Sequence, residues 1–244
     1  RIRDLPGIVK AMGQTACAVT DHGVMYGAVD FYRACKAEGV KPIIGCEVYV
    51  TPQGRTRFDK VHELDAESRH LVLLCENEEG YRNLSYLVSM GWTEGFYIKP
   101  RIDLELLRQY SGGLIALSAC LAGEIPRRLR NGEYENAKAY ALELSHIFGP
   151  DRFYLELQDH GIRDQAIVNQ GILRIHRETG LPMVCTNDAH YLRKEDAEAH
   201  DVLLCIQTGK TIDDENRMRY EPRNFYLRSE EEMAALFAGY EGAL

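Results

Sequence analysis

Long apolar runs are missing from this sequence. No stretch approaches the roughly 20 consecutive apolar residues that a membrane-spanning helix requires, so we expect a soluble protein with no membrane partner. Positive charge is also scarce, because 29 Lys and Arg residues stand against 37 Asp and Glu residues and the net charge is −8. Bulk electrostatics of that sign do not hold a nucleic-acid backbone, so any contact with DNA has to be local or supplied by a partner.

Paired cysteines and several common catalytic motifs are missing as well. The 7 cysteines include no CxxC pair, and most lie in apolar runs, which is typical of reduced core thiols and predicts a cytoplasmic protein. Neither GxSxG nor a phosphate-binding glycine loop occurs, which argues against a serine hydrolase or a P-loop enzyme. The first residues resemble neither a signal peptide nor an initiator sequence, so we expect a piece of a longer protein.

What the sequence does contain is a regular alternation of short apolar strands and helical stretches. The predicted strands are residues 17–19, 41–50, 70–75, 113–117, 153–158 and 183–185. About six strand–helix units in alternation indicate parallel strands in an α/β barrel. Residues 51–68 are polar and predict an exposed loop, and residues 92–101 look irregular.

The pattern changes near residue 195. Helical and strongly polar segments follow, with a last helix predicted from Glu230. We therefore divide the chain into a barrel over residues 1–193 and a helical connector over residues 194–244.

Polar residues lie where the predicted strands end. Asp21 and His22 follow the first strand, and Asp188 and His190 follow the last. In an extended backbone, residues two apart project to the same side, so the side chains of Asp188 and His190 would face the same site. Loops at the carboxyl ends of barrel strands converge, and the two pairs therefore predict one shared site.

Other candidates for this site lie at further strand ends, namely Glu47, Cys120, Glu156 and Gln158. His70 does not follow the rule, because it opens its predicted strand. Imidazole, carboxylate and thiolate donors together suit zinc, manganese or iron. Divalent ions held close together lower the pKa of a bridging water and bind a phosphoryl group, which is the chemistry of phosphoester hydrolysis.

Each candidate also has a purely structural interpretation. Cys120 alone would be a core cysteine, and Glu47 a buried ion-pair partner. Asp188 and His190 could cap a helix. Their joint occurrence at successive strand ends favours a site over these separate explanations.

These residues lie in stretches that resemble the PHP (polymerase and histidinol phosphatase) domain family, in its branch from the bacterial DNA polymerase III alpha subunit. The stretches that carry the resemblance are residues 18–23, 27–32, 41–49, 99–103, 117–126 and 186–191. Residues 200–210 and 217–220 look like the segment that joins such a domain to the polymerase proper. A free-standing phosphatase would not be expected to carry that segment.

The resemblance implies a distorted (β/α)7 TIM-like barrel with up to three zinc, manganese or iron ions at its strand ends. Carried over by motif, the metal ligands are His22, Glu47, His70, Cys120, Asp188 and His190. Asp188 and His190 would also be catalytic, and Arg101 would contact a substrate phosphate unless it forms an exposed ion pair. The family opens with a strand bearing a His-x-His pair, which this sequence lacks, so we expect fewer ions and an open barrel edge.

The implied function is that of the N-terminal domain of a DNA-directed DNA polymerase in DNA replication. Its own activity would be that of a metal-dependent phosphoesterase or 3′–5′ exonuclease used in proofreading. One alternative is a non-catalytic docking module, and the other is a stand-alone histidinol-phosphatase-like phosphoesterase. The implied partners are DNA, the Mg-dependent polymerase domains outside this sequence, a separate proofreading exonuclease subunit and the sliding clamp.

Overall fold

Short apolar runs form the strands of one curled sheet. The computed structural model describes residues 1–240 and 242–244. The strands are β1 (Ala16–His22), β2 (Lys41–Val50), β3 (Arg69–Cys75), β4 (Phe96–Tyr97), β5 (Lys99–Ile102), β6 (Leu114–Leu117), β7 (Phe153–Leu157) and β8 (Met183–Cys185). The helices are α1 (Leu5–Ala11), α2 (Ala28–Glu38), α3 (His62–Asp65), α4 (Glu78–Thr93), α5 (Leu104–Gln109), α6 (Glu124–Arg130), α7 (Tyr134–Phe148), α8 (Arg163–Thr179), α9 (Ala197–Thr208) and α10 (Glu230–Leu236).

The strand order is β4-β5-β2-β3-β6-β7-β8, with β1 also paired to β2. Strands β1 and β5 are parallel to β2, and β6, β7 and β8 are parallel to one another. Strand β3 runs antiparallel to both of its neighbours, β2 and β6. The predicted distorted α/β barrel class is confirmed, but the prediction of parallel strands throughout is wrong at β3. Its reversal puts the start of β3 at the edge where the parallel strands end.

The segment between β2 and β3 explains this reversal. Most of its residues are exposed, as predicted, but it also contains the short helix α3 and a fully buried Asp65. Arg55 donates two hydrogen bonds to the Asp65 carboxylate, at 2.8 and 2.7 Å. The Arg55 hydrogen bonds hold the pKa of Asp65 well below its usual range, at about 2. Because this network keeps the segment at one edge of the sheet, the chain re-enters the sheet from that edge.

The two faces of the sheet differ in burial. The face turned toward the helices carries the main core, with Val48, Leu71 and Leu73 almost fully buried. The opposite, concave face lines a cavity of about 630 Å³ that includes Val72 and Ile115. Among the described residues no ladder joins β1 to β8, and both strands contribute to the wall of this cavity.

The predicted connector packs back onto the barrel. Phe237 and Ala243 are buried in the main core. The backbone N–H of Cys185 in β8 donates to the Ala243 carbonyl at 2.6 Å. The boundary at residues 193 and 194 stays a prediction, but the segment beyond it is a packed part of the domain.

Helix α6 and the strands β4 and β5 were not predicted, and neither was α3. Helix α6 carries Pro126 in its first turn, where the missing N–H of proline leaves no helical hydrogen bond unmade. The stretch expected to be irregular contains the small hairpin of β4 and β5. No helix in the described part of the chain has both the length and the apolar composition needed to cross a bilayer.

Candidate metal centre

Three of the predicted ligands meet at the edge where the strands end. His22 on β1 pairs in register with Glu47 on β2, and His70 opens the antiparallel β3 beside them. Glu47 lies between the two imidazoles, with Oε2 at 3.2 Å from His22 Nδ1 and Oε1 at 2.5 Å from His70 Nδ1. One donor atom from each residue lies within 4.8 Å of the other two, so the three can hold one metal ion.

Burial and charge act in opposite directions on Glu47. Burial alone would raise the pKa of its carboxyl. The hydrogen bond from His70 and the imidazoles of His70, His22 and His190 outweigh burial, so the pKa lies below its usual range. The carboxylate is therefore in the ionised form that binds a cation.

Cys120 adjoins this cluster from the turn after β6. Its Sγ lies 3.5 Å from His70 Nδ1 and 3.8 Å from Glu47 Oε1. Ala119 before it has a left-handed φ of 64°, which turns the chain sharply at the strand end. Burial, followed by the charges of Glu47 and Asp188, raises the pKa of the Cys120 thiol. A bound cation would reverse that balance, because a coordinating thiol loses its proton.

Asp188 and His190 reach the site by a turn rather than by an extended strand. Strand β8 ends at Cys185, and Asp188 has a left-handed φ of 45°. The alternation argument for these two residues was therefore wrong, although both still lie at the site. Asp188 lines the same cavity as Glu47 and Cys120. The His190 ring lies 6.0 Å from that of His22, centroid to centroid.

The backbone fixes the orientation of His190. Its Nδ1 lies 2.9 Å from the Asp188 carbonyl oxygen, which requires a proton on Nδ1. The other ring nitrogen is then the one that can bind a metal. The pKa of the Asp188 carboxyl is raised, because the effect of burial exceeds the opposite effect of the nearby His190.

Glu156 supports the site from behind. It is only 4% exposed, and its Oε2 accepts a hydrogen bond from the Ala119 N–H at 2.8 Å. Its Oε1 accepts hydrogen bonds from the Thr186 hydroxyl and from Gln158. One carboxylate thus joins the turn that carries Cys120 to the turn that carries Asp188. Burial, together with the charges of Asp188 and Glu47, raises the pKa of Glu156 to about 7.

Arg101 is not available to a substrate. Its side chain is fully buried, and its guanidinium donates hydrogen bonds to the backbone carbonyls of Gly95, Asp65, Arg57 and Asp59. The prediction of a phosphate contact is therefore corrected: Arg101 holds the β4–β5 hairpin and the segment after β2 together. Asp21 likewise serves the backbone, because its carboxylate accepts a hydrogen bond from the Gly27 N–H at 3.1 Å.

Four rings near the site were not predicted from the sequence, namely His160, His200, Tyr220 and Phe225. His160 is buried and stacks on Phe225, with the ring centroids 4.0 Å apart. Its Nε2 donates to the Asn187 carbonyl, and its Nδ1 accepts from the Gln165 amide. His160 lies three residues after the end of β7, so the same strand-end rule extended by one turn would have found it. The other three come from the tail, where no periodic pattern marked them.

Strands of an α/β barrel that bring imidazoles, carboxylates and a thiol to one edge define a domain with a candidate metal centre. The chain belongs to the PHP domain family, whose sequence model matches residues 1–160. That match includes His22, Glu47, His70 and Cys120 and ends before Asp188 and His190.

Curated relatives along nearly the whole chain are DNA polymerase III alpha subunits. The chain is 46% identical to that of Treponema pallidum, over 95% of the chain and 20% of the relative. It is 45% identical to that of Borreliella burgdorferi (100% and 21%) and 49% identical to that of Thermus aquaticus (91% and 18%). The chain thus spans about a fifth of the length of these relatives.

A solved structure described as a metal-dependent phosphoesterase from Bifidobacterium adolescentis is also similar to this chain. The TM-score is 0.45 at 14% identity, over 77% of this chain and 81% of the other. A likeness of that size carries no argument about function.

Proposed function

We propose that this chain is the N-terminal PHP domain of a replicative DNA polymerase alpha subunit and that its metal centre hydrolyses phosphodiesters at a DNA 3′ end. The observation that carries the proposal is the placement of Glu47 between His22 and His70, with Cys120 in contact with both Glu47 and His70. The polymerase relatives, at 45–49% identity, support the biological setting. DNA and the other polymerase domains are then its partners.

The proposed ligands fall into two groups. His22, Glu47, His70 and Cys120 form the first group, and Asp188 and His190 approach from the opposite strand. Bound divalent ions supply a lowered pKa for a bridging water and a positive charge for the phosphoryl oxygens. Zinc, manganese and iron fit this mixture of nitrogen, oxygen and sulfur donors.

The chain's own residues prepare the site for this chemistry. The Glu47 carboxylate lies within 3.2 Å of Nδ1 of both His22 and His70 and so helps to orient the two rings. The Asp188 carbonyl fixes the tautomer of His190. Glu156 holds the turns on which Cys120 and Asp188 stand, which keeps the ligands in place before a metal arrives.

Metal binding gives the first test. We expect the purified 244-residue chain to take up zinc, manganese or iron, measured by elemental analysis after gel filtration. His70→Ala should bind metal at least tenfold more weakly. His146→Ala is the matched control, because His146 is an exposed residue of α7 and should leave the metal content unchanged.

Cleavage gives the second test. A 5′-labelled single-stranded oligonucleotide should be shortened stepwise from its 3′ end by the metal-loaded chain, and His190→Ala should abolish shortening while its circular dichroism spectrum stays unchanged. A 3′-terminal phosphorothioate should slow the reaction. Turnover of histidinol phosphate faster than the oligonucleotide would instead favour the free-standing phosphatase.

Docking is a second candidate function, and one observation favours it. A groove of about 580 Å³ between α2 and α4 is lined by Val29, Tyr32 and Tyr81, whose side chains are exposed. Such a groove suits a partner protein, for example the exonuclease subunit. A metal-free chain that is fully folded and binds that partner would support docking over hydrolysis.

A further inference from the structure

Two exposed aromatic rings lie side by side at the rim of the metal centre. Trp92 ends α4 and Phe96 begins β4, and each is 45% exposed. Their ring centroids are 5.4 Å apart and their planes differ by 23°, so the rings are stacked. An exposed aromatic side chain lacks the favourable free energy that burial of its apolar surface would supply. A stacked, exposed pair is therefore a candidate contact surface.

One hydrogen bond and one close backbone approach position this pair. The Trp92 indole N–H donates to the Gly23 carbonyl at 2.9 Å. The backbone of Phe96 is fixed by Gly95, where a Cβ would lie only 1.8 Å from the Arg101 carbonyl oxygen. The buried Arg101 guanidinium also donates to the Gly95 carbonyl. The rings are therefore pre-positioned, and a ligand that stacks on them need not order them first.

The same contacts join the pair to the metal centre. Gly23 directly follows His22, and Tyr49 and Pro100 pack against Gly23. The Tyr49 ring meets the His70 ring edge-on at a centroid distance of 5.3 Å. A molecule lying on the Trp92–Phe96 surface would thus extend directly toward His22 and His70.

A lysine lies at this rim despite the net negative charge of the chain. The exposed Lys99 lies at this rim, with its Nζ 5.3 Å from the centroid of the Tyr49 ring. Glu94, an acidic neighbour of Phe96 in sequence, is bound by the Arg57 guanidinium at 2.6 Å. Arg57 also contacts the Asp103 carboxylate at 3.1 Å, so it offsets only part of the charge of Glu94, and Lys99 adds a cation that can meet a phosphate.

We propose that Trp92, Phe96 and Lys99 form a binding surface for single-stranded DNA, on which bases stack while the backbone leads into the metal centre. Stacked aromatics beside a cation are the usual platform for single strands, because every base presents a flat face. The inference rests on the proposed function for its substrate. A flat patch for a protein partner is the rival outcome, and the nearby lysine and phosphodiester chemistry favour the nucleic acid.

The experiment uses the single tryptophan of the sequence, since its emission reports this surface alone. The 244-residue chain is titrated with a twelve-residue thymidine oligonucleotide in EDTA, so that binding is measured without hydrolysis. We expect saturable quenching of the tryptophan emission, and much weaker quenching by an abasic oligonucleotide of the same length.

Variants then assign the contacts by fluorescence anisotropy of a labelled oligonucleotide. Trp92→Ala and Phe96→Ala should each weaken binding about tenfold or more. Lys99→Gln should reduce the salt slope of binding by roughly 0.7. Tyr86→Ala is the matched control, an exposed aromatic on the same helix that lies outside the docking groove and should leave oligonucleotide binding unchanged. Circular dichroism checks that each variant is folded.

The outcomes separate this inference from the proposed function. Quenching in EDTA without later cleavage would leave the surface standing and overturn the hydrolysis. No quenching, equal quenching by the abasic strand, or unchanged affinity of a folded Trp92→Ala variant would overturn the surface. Emission that responds to another polymerase domain and not to the oligonucleotide would overturn it in favour of a protein contact.

Discussion

Oε1 of Glu47 lies 2.5 Å from Nδ1 of His70, although the two residues come from strands that run in opposite directions. The contact joins the second half of β2 to the start of β3, so one carboxylate connects ligands from separate parts of the chain. Removing that carboxylate should affect the whole cluster rather than one ligand.

Glu47→Gln should therefore weaken metal binding at least tenfold, because a neutral amide is a poorer metal ligand and lacks the negative charge that faces both imidazoles. Competition with a chromogenic chelator would measure the affinity. The matched variant Glu105→Gln, at an exposed position of α5, should bind metal like the unsubstituted chain. Equal affinity of both variants would exclude Glu47 as a ligand.

Metal affinity should also depend on pH. Imidazole and thiol donors must lose protons to coordinate, so affinity should fall steadily as the solution is acidified from pH ~8 to ~5. The same chelator competition, repeated across that range, gives the profile. A constant affinity would contradict histidine and cysteine as ligands.

The pKa of Glu156, raised to about 7, gives a prediction for stability. A carboxyl whose pKa is higher when folded binds more protons in the folded state, so its contribution is present at acidic pH and is lost as pH rises through about 7. Glu156→Gln removes this titration. In EDTA, the free energy of unfolding of the variant should vary less between pH ~5 and ~8 than that of the unsubstituted chain. Urea unfolding of both proteins at each pH measures these free energies. An equal dependence of the two free energies on pH would contradict the prediction.

Asp65 shows the opposite dependence. Its pKa of about 2 is held down by Arg55, so its contribution is present above the ordinary carboxyl range and is lost as pH falls through about 2. Asp65→Asn should cost about 2 kcal/mol at neutral pH, or roughly 4–8 °C in Tm. Below pH ~4 the free energy of unfolding of the Asp65→Asn variant should fall less steeply than that of the unsubstituted chain. Arg55→Gln combined with Asp65→Asn should cost less than the sum of the two single changes.

Arg101→Lys should destabilise the fold without weakening metal binding. A lysine keeps the charge but cannot reach the carbonyls that the planar guanidinium holds. We expect Tm to fall by several degrees, while the metal content of the folded fraction is unchanged. Arg82→Lys, an exposed change on α4, controls for the substitution itself. An unchanged Tm together with weaker binding of inorganic phosphate would instead support the prediction that Arg101 contacts a substrate phosphate.

The sequence predicts much of this fold because local patterns determine it. Apolar runs mark the strands, and Gly39 and Gly180 end α2 and α8 in the left-handed conformation that the helix-stop rule expects. The direction of β3 is not a local property. It goes with the segment between β2 and β3, which Arg55–Asp65 and the buried Arg101 hold by tertiary contacts that no periodicity records.

The candidate ligands could be predicted for a similar reason, and some details could not. The strand-end rule and the family resemblance together named His22, Glu47, His70, Cys120, Asp188 and His190, and the structure brings them to one edge. Arg101 fits a phosphate contact by residue type alone, yet burial decides its role. Tyr220 and Phe225 lie close to His190 only because the tail folds back, which requires tertiary packing to see.

The reversed strand has a consequence for the helix that follows it. Strand β3 begins at the edge that carries the candidate metal ligands and runs away from it. Helix α4 therefore runs back toward that edge, whereas a helix that follows one of the parallel strands runs away from it. The last turn of α4 thereby delivers Trp92 beside Gly23, at a place that a regular barrel would fill with a loop. A redesigned barrel with that strand flipped would withdraw both an imidazole and an indole from the same rim.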